Sequence, residues 1–422
     1  MPKPLLVGFG SSDITPALPC ELNGFAMREQ PALGIGGPLR ARVMVLKRAR
    51  ACAVLAVCDL LGFTPADSVR LEKRLGRVAG VPFTHVFLAC THTHSGPMSM
   101  PLGAVGTCDR GYVALVGQRL ASAAERACGD LRPVQRVRLA VRGISHLGTF
   151  RCGRREPGRS RWPGKLTAVR FVRESGPAVT VVHVGIHPYV LGPKNRAVHP
   201  DYPGEACAAL ERQGAGHALL LPGCGADVEA AVAWRTSLED AASFGGNVAS
   251  EALAALRRAR GIADAPFRLT CLAPRVRFGF RAAAAEPNLR RVREARQVRE
   301  RLMRNAREYE ACLQQGVLPR SRVFRVRLMR LGSLALVGMP AEIFHDTGAD
   351  LARACAKATV LTLSQTGGDV GYLPRPFAYR GLTYETTSAH RWYRTKGAPL
   401  PGSEERVRRS ALCALTGLFT RD

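Results

Sequence analysis

The sequence predicts an α/β fold with mixed β-sheets and flanking helices. Three observations carry that expectation. Short apolar, β-branched runs alternate with longer helical segments along the chain. No internal repeat or low-complexity linker interrupts them. At 422 residues and 46% hydrophobic content, the chain can bury a large core. It is expected to form one catalytic domain over residues 1–422.

Taken in chain order, Val43 to Leu46 and Ala53 to Val57 are apolar runs of strand length, followed by a helix over Pro65 to Leu75. A third strand, Val86 to Cys90, precedes a long helix over Gly111 to Ala127. Thr180 to Ile186 and Ala218 to Leu221 then flank a helix over Gly204 to Glu211. Helices over Asn247 to Arg260 and Leu289 to Gln314 lead to strands at Leu334 to Gly338 and Thr359 to Leu363. Helices over Asp346 to Ala358 and Ser403 to Leu418 complete the pattern. The Gly8-x-Gly10 pair follows too short a strand, and lacks too much of a dinucleotide fingerprint, to indicate nucleotide binding.

The chemistry gathers where strands stop. Thr91-His92-Thr93-His94-Ser95-Gly96-Pro97 directly follows Val86 to Cys90. In extended backbone, residues two apart point to the same side. Two imidazoles would leave the strand together, one suited to ligate a metal and the other to move a proton. His187-Pro188 closes a second apolar run, Gly223 to Asp227 a third, Met339 to Glu342 a fourth, and Gly367 to Tyr372 a fifth. In α/β sheets, ligands collect beyond the carboxyl ends of strands. Two imidazoles, a carboxylate and a position left open for water make up a catalytic zinc centre. His92, His187 and Glu342 supply that set, with one zinc per chain expected. Zinc lowers the pKa of bound water to about 7, giving a nucleophile at neutral pH.

Composition narrows the alternatives. No apolar stretch is long enough to span a membrane, and the N-terminus lacks the apolar core of a signal peptide, so a cytoplasmic location is expected. Thirteen cysteines without a Cys-x-x-Cys pair indicate neither a disulfide framework nor a zinc ribbon. The formal charge of +28 invites a nucleic-acid reading, but 54 of the 61 basic residues are arginines spread along the chain. The densest cluster, Arg290 to Arg307, is interleaved with Glu294 and Glu300 and reads as a solvated helical face. No specific nucleic-acid partner is expected. Peripheral contact of that helix with an anionic membrane is the remaining partner reading.

With these segments assembled, the chain resembles the neutral/alkaline, non-lysosomal ceramidases in their catalytic domain. The matching pieces are Val7 to Pro16, Asn23 to Ala26, Val57 to Leu60, the Thr-His-Thr-His-Ser-Gly-Pro block, Ile186 to Pro188, Asp201 to Gly204, Gly225 to Val228, Pro340 to Glu342, Gly371 to Pro374 and Tyr384-Glu385. The resemblance implies an amide-cleaving zinc enzyme acting on an N-acyl or lipid-like, ceramide-like substrate. It implies that His92, His187, Glu342 and a tyrosine hold the metal, the tyrosine being Tyr372 or, alternatively, Tyr384. His94 is then the non-ligand histidine that moves protons or orients water, and an arginine of the Phe150 to Arg155 segment, Arg151 in preference, meets the scissile group and with Tyr372 stabilises the oxyanion. Asp227 either assists His94 or caps a turn. Glu342 alternatively stabilises the start of the helix that follows it.

Two departures from the family stand out. The ceramide-cleaving members carry a serine where this sequence has Glu229, which bears on substrate, and no C-terminal immunoglobulin-like domain is expected. His183 lies about 13 Å from His187 along an extended strand, too far for a shared ion, and reads as structural. An esterase or small-metabolite hydrolase with the same metal, or a non-catalytic basic protein binding nucleic acid or anionic membrane, are the rival readings.

Overall fold

The computed structural model describes residues 3–28, 30–103, 105–151, 161–280, 296–356 and 358–420. Its largest sheet has nine strands. Eight run in the order His217–Pro222, Val179–Val184, Lys165–Arg173, Arg132–Gly143, Leu6–Asp13, Arg40–Arg48, Ala51–Cys58 and Val86–Cys90, and Arg260–Ile262 pairs with Arg132–Gly143. Only Leu6↔Pro133 and Val7↔Arg132 join the two halves of this sheet, so it can bend sharply at that seam. One half-sheet ends at each edge in a parallel pair, Ala51–Cys58 with Val86–Cys90 and Val179–Val184 with His217–Pro222. A second sheet of four strands, Phe267–Leu272, Val326–Leu331, Leu334–Gly338 and Thr359–Leu363, ends in a third parallel pair formed by its last two strands.

Strand periodicity explains the layers. Alternate residues of the large sheet (Phe9, Leu55, Phe87, Val181 and Leu219 among them) share one core with Met329, Leu336 and Leu361 of the small sheet. The intervening residues face outward against helices. Helices Pro65–Ala79 and Arg110–Gly129 cover one half of the sheet, and Asp201–Arg212 and Leu238–Arg257 cover the other. Helices His345–Ala354 and Ser403–Thr420 cover the outer face of the small sheet. Among the described residues, no helix is long and apolar enough to cross a membrane.

Each parallel pair needs a crossover, and each crossover contains a helix: Pro65–Ala79, Asp201–Arg212 and His345–Ala354 respectively. Paired parallel strands end on the same side. The three units therefore deliver six strand-end loops, and hydrogen bonds stitch those loops together. Gly367 N–H donates to Leu88 O at 2.8 Å, and Ser364 N–H donates to Pro222 O at 3.0 Å.

The seven expected strands and seven expected helices all form, with boundary differences that have physical causes. Strands Arg132–Gly143, Lys165–Arg173 and Val326–Leu331 were not expected, because arginines interrupt their apolar pattern. In the last of these, Arg327 is fully buried and pairs with buried Glu72 at 2.5 Å. Leu6–Asp13 is a full eight-residue strand despite its glycines. The helix expected from Asn247 begins nine residues earlier, at Leu238, where Ser237 caps it, and it ends at Arg257 rather than Arg260. Phe244-Gly245-Gly246 does not break it. A Cβ on Gly245 would lie 2.5 Å from Glu205 Cβ, so the glycine lets this helix press against Asp201–Arg212. The helix expected over Asp346 to Ala358 stops at Ala354, and that expected from Leu289 is described from Arg296 onward, its earlier residues, with Arg290, Arg291, Arg293 and Glu294, lying outside the described residues.

The two glycines of that helix make opposite predictions. Gly245→Val should destabilise by about 1–3 kcal/mol through overpacking. Gly246→Ala, which meets no atom within 4 Å, should stabilise by up to about 1 kcal/mol. Urea denaturation of the two variants measures both, and equal effects would show that helix contact does not select Gly245.

Candidate active site

The loops after the three parallel pairs meet around three buried histidines. The ligand atoms of His92, His94 and His187 all lie within 4.8 Å of one another, and each side chain is buried. Their rings contact in every combination, with centroids 5.1 Å apart for His92–His94, 4.8 Å for His92–His187 and 5.0 Å for His94–His187.

His92 and His94 reach one place by a different route from the extended strand expected. The strand ends at Cys90, and His92 adopts φ +70°, an uncommon conformation for a residue with a side chain. Its N–H is held by Leu60 O at 2.9 Å. The chain then turns, and His94 Nδ1 meets His92 O at 3.1 Å. Gly24 (φ +99°) makes room for that turn, since a Cβ there would lie 2.4 Å from His94 Cδ2. The rest of the motif is anchored elsewhere: Thr93 Oγ1 donates to His199 O at 2.9 Å, and Asn195 Nδ2 donates to Ser95 Oγ at 2.9 Å.

Two of the imidazoles have Nδ1 engaged by a backbone carbonyl: Leu61 O holds His92 Nδ1 at 2.8 Å, and His92 O holds His94 Nδ1. A carbonyl fixes an N–H on the nitrogen it faces and leaves the other nitrogen with its lone pair. His187 itself is placed by its N–H to Val228 O at 3.0 Å, and Tyr202 OH donates to Ile186 O at 2.7 Å just before it.

Glu342 and Tyr372 arrive together, as partners in a short parallel pairing of Glu342–Ile343 with Tyr372–Leu373. Glu342 is buried; Oε1 accepts a hydrogen bond from Tyr393 OH, while Oε2 lies 3.5 Å from His92 Nε2 and has no hydrogen-bond partner. On the other side of His92, Asp369 Oδ2 lies 3.9 Å from Nδ1 and is likewise buried without a hydrogen bond. Unsatisfied buried carboxylate oxygens are costly. One of them, Glu342 Oε2, faces the lone-pair nitrogen of His92 beside the other clustered imidazoles, and Asp369 backs that ring from its N–H side. A carboxylate with clustered imidazoles is the donor set of a cation site, so the residues present fit a metal.

Electrostatics agree with that reading. Burial alone would depress His92, but the adjacent Glu342 carboxylate, helped by Asp369, lifts its pKa above the ordinary value. Burial pushes His94 and His187 well below it, and neighbouring positive groups add to the effect. Burial and repulsion from Glu342 push Asp369 up to about 7. Two carboxylates that draw a proton onto His92 would draw a cation in the same way.

Arg151 lines another wall. Its Nε donates to Tyr189 OH at 3.0 Å, its Nη1 donates to Tyr372 OH at 3.1 Å, and Nη1 lies 3.6 Å from Glu385. Tyr189 OH in turn donates to Glu229 Oε1 at 3.1 Å, and Glu229 is 3.9 Å from Arg151. The neighbouring Cys152, Arg154 and Arg155 lie outside the described residues. Asp227 places two neighbours: its backbone O accepts from Arg151 N–H at 3.0 Å, and Oδ1 accepts from the His345 N–H at 2.7 Å, at the start of a helix. Tyr384 contacts Tyr372 ring to ring at 5.9 Å but is 46% exposed, whereas Tyr372 is 8% exposed. His183, as expected, is structural, its Nε2 meeting Thr362 O of the small sheet at 3.0 Å.

Sequence reasoning overlooked Tyr189, Asp369 and Tyr393 as site residues. Tyr189 follows His187 at the spacing that singled out His92 and His94, so that signal was present. Asp369 stands in a strand-end segment already noted. Nothing near Tyr393 in the sequence points to Glu342.

Among solved structures, the chain is similar to a ceramidase complexed with C2, at 18% identity and TM-score 0.78 over 99% of this chain and 76% of that one. It is also similar to the neutral ceramidase from Pseudomonas aeruginosa, at 17% identity and TM-score 0.76 over 98% and 74% of the two chains. The chain therefore has a neutral-ceramidase-like α/β fold. No family model and no curated protein sequence matches it.

The cluster predicts about one bound divalent metal per chain. The double variant His92→Ala with His187→Ala should lose it, as read by elemental analysis after dialysis. Stoichiometric metal in that variant would exclude these imidazoles as the binding site.

Proposed function

We propose that this chain is a zinc-dependent hydrolase of an amide bond in an N-acyl, lipid-like substrate, with residues 1–422 acting as one catalytic unit. The observation that carries the reading is the set of three buried imidazoles, two of them oriented by carbonyls, beside a buried carboxylate oxygen without a hydrogen bond. It stands in a fold shared with proteins described as ceramidases.

His92, His187, Glu342 and Tyr372 would hold the zinc. Bound there, the ion supplies Lewis acidity and lowers the pKa of water. The remaining roles fall to the chain's own groups. His94 stays neutral at pH 7 because burial depresses its pKa. Its second ring nitrogen accepts a proton from attacking water and returns it to the leaving nitrogen. Arg151, fixed between Tyr189 and Tyr372, presents N–H groups to the carbonyl oxygen as negative charge develops. Asp227 positions Arg151 through its backbone carbonyl. Deep burial of the imidazoles excludes bulk water and strengthens each of these interactions.

The division of labour between the motif histidines is testable. His94→Ala should keep the metal and lose roughly two to four orders of magnitude in turnover of an N-acyl amine, the scale of a lost acid–base group. Loss of metal from His94→Ala, with retention in His92→Ala, would exchange their roles.

Glu229 tests substrate choice. Through Tyr189 its carboxylate reaches the Arg151 wall and adds negative charge where the ceramide-cleaving pattern has serine. Ceramide is expected to be turned over more slowly than short N-acyl amines, and Glu229→Ser should narrow the gap. Efficient ceramide hydrolysis by wild type, unchanged in Glu229→Ser, would remove Glu229 from specificity.

A further inference from the structure

We infer that one flank of the site mouth, built from residues 33–35, 194–196 and 234–235, docks on an anionic lipid surface; the inference rests on the reading of the substrate as an N-acyl amphiphile. Three exposed apolar side chains stand there: Leu33 at 62% exposure, Ile35 at 52% and Trp234 at 52%. Three exposed cations, Lys194, Arg196 and Arg235, stand among them.

Backbone contacts make the three segments one surface. Leu33 N–H donates to Arg196 O at 3.1 Å, and Gly34–Ile35 pairs in parallel with Ala197–Val198. Gly192 N–H donates to Arg235 O at 2.8 Å, and Asn195 N–H donates to Gly192 O at 3.1 Å. Trp234 adopts φ +59°, an outlier for a bulky residue, and Gly192 packs directly against its backbone. An exposed indole held in this way is fixed rather than free to collapse onto the protein.

The surface continues into the site. The Trp234 ring lies 5.8 Å from Phe25 and 6.5 Å from Tyr189. Phe25 in turn lies 4.9 Å from His94, and Tyr189 lies 4.4 Å from His187. Aromatic rings thus lead without interruption from the exposed tryptophan to two of the imidazoles.

The chemistry of the patch selects its partner. Residues 30–38, 190–198 and 230–237 contain no carboxylate, and the acids flanking the last segment have partners of their own, Glu229 with Tyr189 and Glu239 with the Ser237 hydroxyl. Among the described residues, Lys194, Arg196 and Arg235 make no ion pair, so their charge faces outward. Tryptophan favours the boundary between lipid headgroups and acyl chains. Cations beside it add attraction to an anionic leaflet, each strengthening binding about five-fold at low salt. A nucleic acid would use the cations but leave Leu33 and Ile35 unused.

Co-sedimentation of the full chain with vesicles tests this without relying on turnover. Wild type should bind phosphatidylcholine vesicles containing phosphatidylglycerol far better than pure phosphatidylcholine, and salt should weaken the binding. The triple variant Lys194→Ser, Arg196→Ser, Arg235→Ser should bind roughly one to two orders of magnitude more weakly. Trp234→Ala should also bind more weakly and lose a blue shift of tryptophan emission on anionic vesicles. Both variants should keep wild-type circular dichroism, and the triple variant should keep wild-type hydrolysis of a short, water-soluble N-acyl amine. Vesicle binding by a wild type that cleaves no N-acyl amine would sustain the docking surface while the hydrolase reading fails. Undiminished vesicle binding by the triple variant, or binding of a single-stranded oligonucleotide with none to vesicles, would overturn the proposal.

Discussion

The site depends on one topological constraint: three parallel strand pairs must end at the same place. A parallel pair delivers two adjacent loops at its carboxyl end, and its helical crossover shields the outer face. The first pair supplies the loop carrying Leu61 and the loop carrying His92 and His94. The second supplies His187 and the loop of Gly225 and Asp227. The third supplies Glu342 and the loop of Asp369 and Tyr372. Had the large sheet remained flat and continuous, its two parallel edges would lie more than 30 Å apart, at nearly 5 Å per strand spacing. The two-residue seam at Leu6 and Val7 and the shared inner core with the small sheet bring those edges together.

Convergence also explains how the histidines are oriented. A strand-end backbone has carbonyls without ladder partners, and those groups need donors. Leu61 O meets that need with the His92 imidazole N–H from a neighbouring loop, while His92 O uses His94. Satisfying the loops and fixing the tautomers are therefore one interaction. The backbone strain at His92 is sustained because its N–H, its carbonyl and its ring are each held by a different partner.

Local signals made the fold class and half of the site legible in the sequence. His92, His94, His187 and Glu342 each follow a largely apolar strand, and strand ends are visible in one dimension. The arginine-bearing strands were not visible, because Arg327 is buried only through Glu72, 255 residues away in the chain. Tyr393 was hidden for the same reason: it reaches Glu342 across 51 residues of chain, through packing that no local periodicity encodes. Even the correct grouping of His92 with His94 came from extended-strand geometry that the chain does not adopt. Proximity in sequence carried the result, and the turn over Gly24 supplied the geometry.

Charge is organised in two tiers, which bears on what can enter. Near the reacting centre, the guanidinium of Arg151 is already surrounded by Glu229, Glu385 and two phenols, and Glu342 and Asp369 flank His92. A carboxylate or phosphate arriving at Arg151 finds that guanidinium balanced by two acids and gains little from it, although the buried Arg28, stacked on Phe25, adds positive charge near His94. A hydroxyl or an amine can instead donate to those same acids. Farther out, the sign reverses: around Trp234 the exposed charges are cationic, without carboxylates in the same segments. On the proposed reading, such a rim and a site whose Arg151 is already balanced would separate the docking surface from the head group of the substrate. That separation would leave anionic lipids as a platform rather than as competitors for the site.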